Sequence, residues 1–312
     1  MQIHSDVNNF PEVSYAIVTS GTFDGVHVGH QKILERLHET AKELKGESVV
    51  ITFWPHPRYV LSNIENELKL LSTIDEKIEL LDKNKVDHLI IIPFTKEFSQ
   101  MTSEQFIQEI LIRKIRTKKL VIGYDHRFGK NREGSFDYLK ENEVKYGFAI
   151  EEIPEEDVHN IAVSSTKIRN ALLGGEVEIA NEFLGRYYSL RGTVMEGDKI
   201  GRKLGYPTAN IYLKENYKLI PGDGIYAGLI SVKNKKYKGL IYIGERPTIE
   251  GTKRNIEAFI FDFKENIYGE SIEVSFIKFI RGDMKFDNLE ELKIQIKKDE
   301  ESGHVILDSI SL

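Results

Sequence analysis

Gly21-Thr22-Phe23-Asp24-Gly25-Val26-His27-Val28-Gly29-His30 stands between a short β-branched run and a long helical pattern, and its reading decides the fold of the first half of the chain. Glycines permit tight turns and close backbone approach. The start of a helix leaves N–H groups without intrahelical partners, which suits a phosphate. His27 and His30, three residues apart, stand across the first helical turn, where both imidazoles can face one ligand. There they would donate hydrogen bonds to phosphate oxygens and stabilise charge that builds up during a transfer step. The plainer alternative is that one histidine caps the helix and the other lies on the surface. Zinc is disfavoured, because no third ligand stands at a recognisable spacing.

Outward from this stretch, residues 13–18 read as a strand before it, and Ile33, Leu34, Leu37, Ala41 and Leu44 share one face of a helix from about residue 29 to 45, ended by Gly46. Further strands are expected at 48–53, 88–93 and 119–123 and near 147–153, with helices at 73–84, 103–112, 165–173 and 176–184. Strand and helix in alternation predict a parallel α/β sheet. Residues 124–134 break the rhythm with glycines and basic side chains and read as an exposed loop after a strand end, where α/β folds bind ligands.

From residue 187 the period changes to alternation. Strands are expected at 187–195, 224–232, 237–244, 255–263 and 271–280, separated by Gly, Pro, Asn and Lys turns. That pattern predicts an antiparallel sandwich or small barrel, closed by a last helix on which Leu289, Leu292 and Ile296 share a face. A length of 312 residues fits two domains, divided near residues 184–186, and 40% hydrophobic with 29% charged residues is a globular balance. The 43 basic and 49 acidic residues leave a net charge of −6, which argues against wrapping nucleic acid on a broad basic face. Zero cysteines exclude disulfides, thiolate metal sites and a cysteine nucleophile, and fit a reducing compartment. The first ten residues have no basic segment followed by an apolar stretch, and runs such as 89–92 are too short to span a bilayer, so a soluble cytoplasmic protein is expected.

Two more stretches carry chemistry. Ser164-Ser165-Thr166-Lys167-Ile168-Arg169 opens a short helix with hydroxyls and bases; alone it reads as a common N-cap. Gly201-Arg202-Lys203-Leu204-Gly205-Tyr206-Pro207-Thr208-Ala209-Asn210 is no Walker A loop and alone reads as a turn-rich connection. Yet Thr208 and Asn210, two residues apart on an extended segment, face the same side and can share a hard cation, while Gly201 and Gly205 let backbone N–H groups approach phosphates. Glu257 is an acidic residue within an apolar strand, for which an outward-facing position is the default.

The combination of the His-x-Gly-His turn with the later Ser-Ser-Thr-Lys-Ile-Arg helix start resembles the nucleotidylyltransferase superfamily related to class I aminoacyl-tRNA synthetases. Together with Pro55-His56-Pro57 and Gly123-Tyr124-Asp125-His126-Arg127-Phe128-Gly129, it resembles the FMN adenylyltransferase (FAD synthetase) module of bacterial bifunctional flavin-synthesising enzymes. From about Gly185, the Pro-Thr-Ala-Asn motif, Arg246-Pro247-Thr248, the Glu257 strand, Tyr268-Gly269, Arg281 and Lys285-Phe286 resemble riboflavin kinase. The implied folds are a Rossmann-like parallel-sheet domain over 1–184 and a six-stranded antiparallel β-barrel with a terminal helix over 185–312. Three positions depart from the family wording: Trp54 replaces an acidic residue, His126 a phenylalanine and Tyr242 an asparagine.

The resemblance implies phosphorylation of riboflavin to FMN in the second domain and adenylylation of FMN to FAD in the first, with ATP as co-substrate and Mg2+ as cofactor. His27 and His30 would act on the ATP phosphates, helped by Gly21, Phe23, Asp24 and Gly25 and, from the opposite side, by Ser165, Thr166 and Arg169. His56, Asp125, Arg127 and Phe128 would contact flavin or nucleotide. Thr208 and Asn210 would bind Mg-ATP beside Gly201 and Gly205, and Glu257 would be the general base on the riboflavin hydroxyl. Two alternatives stand beside this: one domain active with the other structural, or a flavin- or nucleotide-binding regulator without turnover. An RNA-binding role resting on the basic cluster 113–119 is weaker, since that cluster is most simply a solvated helix end.

Overall fold

The computed structural model describes residues 1–61, 68–123, 127–130, 133–153, 163–197, 200–248 and 251–312, with the backbone alone at 200, 203, 246–248 and 251–253. The chain forms two compact units, Met1–Ser165 and Thr166–Leu312.

In the first unit, β1 (Gln2–His4), β2 (Ala16–Ser20), β3 (Glu47–Trp54), β4 (His88–Pro93), β5 (Thr117–Gly123) and β6 (Ala149–Ile153) form one sheet in the order β1-β4-β3-β2-β5-β6. Each adjacent pair is parallel. The central strands β2, β3 and β4 are mainly apolar and buried because both faces are covered. Ala16, Val18, Val49, Ile51, Ile90 and Ile92 pack into one core, while Ile17, Val50 and Leu89 pack into the other with Leu34, Leu37 and Ala41 of helix α1 (Val28–Glu43). The crossing from β2 to α1 at the sheet centre places the glycine-rich turn at the carboxyl end of the strands.

Three details differ from the periodicity. The edge strand β1 is only three residues long and exposed, so it carries no alternating pattern to read. Gly46 does not end α1 by a left-handed turn; Lys45 takes that conformation (φ 52°), and Gly46 is needed because a Cβ there would lie 2.3 Å from the Tyr15 carbonyl. The helix expected at 103–112 is α-helical only over Ser103–Gln105 and continues as a π-helix over Phe106–Lys114. Of the loop expected at 124–134, residues 124–126 and 131–132 lie outside the described residues, and the rest pairs Phe128 with Gly134 in an antiparallel bridge.

The helix Ser165–Leu173 starts at the division, and from Thr166 it opens the second unit, followed by the helix Val177–Leu184. It continues as β7 (Tyr188–Met195), β8 (Thr208–Tyr212), β9 (Gly224–Val232), β10 (Lys235–Thr248), β11 (Gly251–Ile260) and β12 (Ser271–Arg281). These strands close into an antiparallel barrel in the order β10-β11-β8-β7-β12-β9. Strand β8, which supplies the sixth member, is five residues long and follows a turn rich in glycine. The helix Leu289–Leu307 covers one face of the barrel. Leu307 packs there with Leu240 and Phe261, and Gly303 permits the approach, since a Cβ would lie 2.6 Å from the Leu240 side chain.

Candidate active sites

The turn between β2 and α1 is held in an unusual backbone conformation. Phe23 (φ 47°) and Val26 (φ 39°) join Gly25 (φ 80°) in the left-handed region, which is costly for a buried β-branched residue and is found where surroundings over-determine the chain. Those surroundings are specific. The buried Asp24 carboxylate accepts from the Leu71 N–H at 3.0 Å and the Ser72 N–H at 3.3 Å, and the Gly25 N–H donates to Ser72 Oγ at 3.2 Å. Asp24 therefore anchors the turn through its side chain.

His27 is the N-cap of α1: its Nδ1 accepts from the His30 N–H at 3.3 Å. An accepting Nδ1 puts the proton of the neutral ring on Nε2, where it is a donor. The two imidazoles stack with centroids 3.6 Å apart, so His27 caps the helix with its ring held against that of His30. Burial, reinforced by His27 and then Lys77, holds the His30 imidazole well below its ordinary pKa, and its buried Nδ1 has no hydrogen-bond partner among the described residues. A Cβ at Gly29 would lie 3.3 Å from the His27 ring, and one at Gly21 would lie 3.2 Å from the Phe23 ring, so these glycines give the rings room.

Ser165, far along the chain, reaches this turn: its Oγ donates to the Asp24 carbonyl at 3.0 Å. Thr166 and Arg169 follow on the same helix, Thr166 exposed and Arg169 half-buried. His56 is buried after the cis Trp54–Pro55 bond and accepts from the Arg58 N–H at 3.2 Å. Phe128 stacks at a tilt on Phe106, with centroids 5.7 Å apart, beside an exposed Arg127. Asp125 and His126 lie outside the described residues.

In the barrel, register assembles the second site. Tyr242, Glu257 and Asn210 stand directly across from one another on β10, β11 and β8, and Leu240, Phe259 and Thr208 form the next row on the same face. Glu257 is 9% exposed, not outward-facing. Thr208 Oγ1 donates to its Oε2 at 2.5 Å, and Asn255 Nδ2 donates to its Oε1 at 2.7 Å. Both oxygens are thus fixed. Asn255 is a residue the motif reading missed; the signal was its position two residues before Glu257, on the same strand face.

Glu257, Thr208 and Asn210 line a cavity of about 300 Å³ whose wall also includes the apolar side chains of Ile225, Leu292 and Phe286. A second cavity of about 350 Å³ lies on the alternate face of the same strands, where Ala209 and Ala258 line it with Arg202 and Tyr268. Thr208 lines both. The close packing that forms this junction explains two glycines: a Cβ at Gly197 would lie 2.3 Å from the Asn210 amide, and one at Gly201 would lie 2.3 Å from the Tyr206 carbonyl. Gly205 turns the chain with φ 91°.

Residues 10–167 match the family model for FAD synthetase and residues 184–307 that for riboflavin kinase. The chain is 42% identical over 304 residues to the bifunctional riboflavin kinase/FMN adenylyltransferase of Buchnera aphidicola subsp. Schizaphis graminum, covering 96% of each chain. It is 36% identical over 293 residues to the enzyme of the same name from Haemophilus influenzae, covering 94% of each. A crystal structure described as a macrolide-efflux protein from Streptococcus pneumoniae matches with a TM-score of 0.88 at 30% identity, over 97% of this chain and 98% of that one. Among the described residues no helix is long and apolar enough to cross a membrane.

Proposed function

The chain belongs to the bifunctional riboflavin kinase/FMN adenylyltransferase family: it phosphorylates riboflavin to FMN with ATP, then adenylylates FMN to FAD with release of pyrophosphate, and we propose that residues 185–312 carry the first step and residues 1–184 the second. Both steps consume ATP, which supports the cytoplasm as their compartment.

For phosphorylation the nucleophile is a neutral alcohol and needs a base. Glu257 takes that role. The observation that carries the reading is a carboxylate oriented by Thr208 and Asn255 at the point where two cavities share Thr208. The partly apolar cavity suits the flavin ring, with the ribityl hydroxyl toward Glu257, and the second cavity suits ATP. Among the described residues no group of three or more His, Cys, Asp or Glu could hold a metal alone. Thr208 and Asn210, two oxygen donors on one strand face, instead fit Mg2+ that arrives with ATP, since magnesium takes few protein ligands beside substrate phosphates. When bound there it would offset charge on the β- and γ-phosphates. The Thr208 hydroxyl can serve both neighbours, donating to Glu257 while keeping its lone pairs.

For adenylylation the nucleophile is the FMN phosphate, already an anion, so positioning and charge stabilisation suffice. His27 and His30 meet the ATP phosphates, the glycine-rich turn through Gly21, Phe23, Asp24 and Gly25 sets their place, and Ser165, Thr166 and Arg169 are assigned to the same phosphates. His56, Asp125, Arg127 and Phe128 are assigned to the flavin or nucleotide.

Incubation of the purified protein with riboflavin, ATP and Mg2+, followed by chromatographic resolution of the flavins, is expected to yield FMN and FAD. Glu257→Gln should abolish FMN formation from riboflavin and still convert supplied FMN to FAD. Loss of FAD formation from supplied FMN in that variant would overturn the division between the domains.

A further inference from the structure

Lys77 is a buried lysine beside the adenylyl-transfer site to which neither motif assigns a role. It lies on the first turn of the helix Ile74–Lys83, whose start is fixed by a reciprocal cap: Thr73 Oγ1 accepts from the Glu76 N–H, and the Glu76 carboxylate accepts from the Thr73 N–H. Its side chain is 2% exposed. An ammonium is seldom buried so completely unless it is paired, because its charged form loses hydration. Its Nζ donates to the Thr22 carbonyl at 2.7 Å, the one hydrogen bond made by this three-donor group among the described residues.

The charged and titratable groups around it come from the turn and from α1. Asp24 favours the charged ammonium but is itself bonded to the Leu71 and Ser72 N–H groups. His30 faces it from α1, stacked on His27. On its own helix Glu76 is engaged with Thr73. Burial is the larger influence and lowers the Lys77 pKa to about 8, so the group is still mostly protonated near neutrality. A buried positive charge that shares its nearby carboxylate, Asp24, with two backbone N–H groups suits a place where phosphates arrive, and Thr22 immediately precedes Phe23, where the left-handed stretch begins.

We propose that Lys77 is a positioning residue for adenylyl transfer, holding the glycine-rich turn by the Thr22 carbonyl and setting a buried positive charge behind His30. It acts through Thr22 and His30. The proposal rests on the assignment of His27 and His30 to this reaction.

The test compares wild type, Lys77→Met, Lys77→Arg and His30→Ala in steady-state conversion of FMN to FAD, together with NMR titration of the His30 ring. Lys77→Met keeps the apolar stem and removes the charge. It should lower kcat by about tenfold or more, the scale of a lost preorganised electrostatic group. The His30 titration should move to higher pH in the same variant, because a neighbouring positive charge that opposes imidazolium formation is gone. Lys77→Arg should restore most of both. Lys77→Met with wild-type kcat beside a disabled His30→Ala would overturn the role of Lys77 alone, whereas a fully active His30→Ala would overturn the site assignment. Equal loss in Lys77→Met and Lys77→Arg with the His30 titration unmoved would reduce Lys77 to a packing residue and also overturn the proposal.

Discussion

His27 separates two contributions within one side chain. Its Nδ1 caps α1 and its ring stacks on His30, so a single substitution can remove the ring and keep the cap. Asparagine is a strong N-cap. His27→Asn should therefore unfold at nearly the wild-type denaturant midpoint while FAD formation falls by about 10²–10³, the loss expected for one transition-state donor. His27→Ala should show the same kinetic loss together with about 1 kcal/mol of stability. Denaturant melts and FMN-to-FAD rates of the two variants check this, and an active His27→Asn would leave His27 as a cap only. Residues of this kind were legible because the spacing of His27 and His30 is local. Lys77 was not: it reads as an ordinary basic position on an amphipathic helix, and its burial depends on the turn lying over it.

The C-terminal helix shows what an apolar stripe leaves open. Leu289, Leu292 and Ile296 share a face as the period predicts, yet Leu289 is 59% exposed, while Leu292 and Ile296 line the Glu257 cavity and are only partly covered. Part of the stripe thus faces a cavity, and periodicity does not distinguish a cavity wall from a core. What anchors the helix there is polar. Arg281, at the end of β12, donates from Nε and Nη2 to Asp299 at 2.9 and 2.7 Å, and Gln295 Nε2 adds a bond to Asp299 at 2.8 Å. Asp299 is buried, and it lines the same cavity with Arg281. Breaking a buried pair by removing one partner leaves an uncompensated charge. Asp299→Ala should cost about 3 kcal/mol, the lower end of the range for such pairs because Arg281 retains some solvent access. Chemical denaturation of the barrel would read this loss, and the KM for riboflavin should rise as the cavity wall loosens while FMN-to-FAD conversion is unchanged. An unaltered KM would mean that the pair does not shape the acceptor cavity. The partnership was hidden in the sequence because Asp299 sits in a run of charged residues that reads as a solvated face.

At the scale of the whole molecule, the two architectures were legible because hydrophobic period changes from helical to alternating along the chain. Where the helices Ser165–Leu173 and Val177–Leu184 pack was not legible, since an amphipathic stripe does not name its partner. They lie in the unit of the barrel, where Asn181 Nδ2 donates to the Phe276 carbonyl at 2.8 Å and Asn181 Oδ1 accepts from the Tyr188 N–H at 2.7 Å. The groups assigned to riboflavin phosphorylation, Thr208, Asn210, Asn255 and Glu257 with both cavities, also come from this unit, so on the proposed assignment each step draws on its own set of side chains. Two singly disabled proteins should therefore complement each other in solution. His27→Asn retains the kinase site and Glu257→Gln the adenylyl-transfer site; neither alone should convert riboflavin to FAD. Mixed, they should do so after a lag in which free FMN accumulates, and the lag should shorten as the concentration of Glu257→Gln is raised. Chromatographic time courses of riboflavin, FMN and FAD provide the measurement. A mixture that makes FMN but no FAD, while Glu257→Gln still adenylylates supplied FMN at the same concentration, would show that FMN does not pass between molecules through solution.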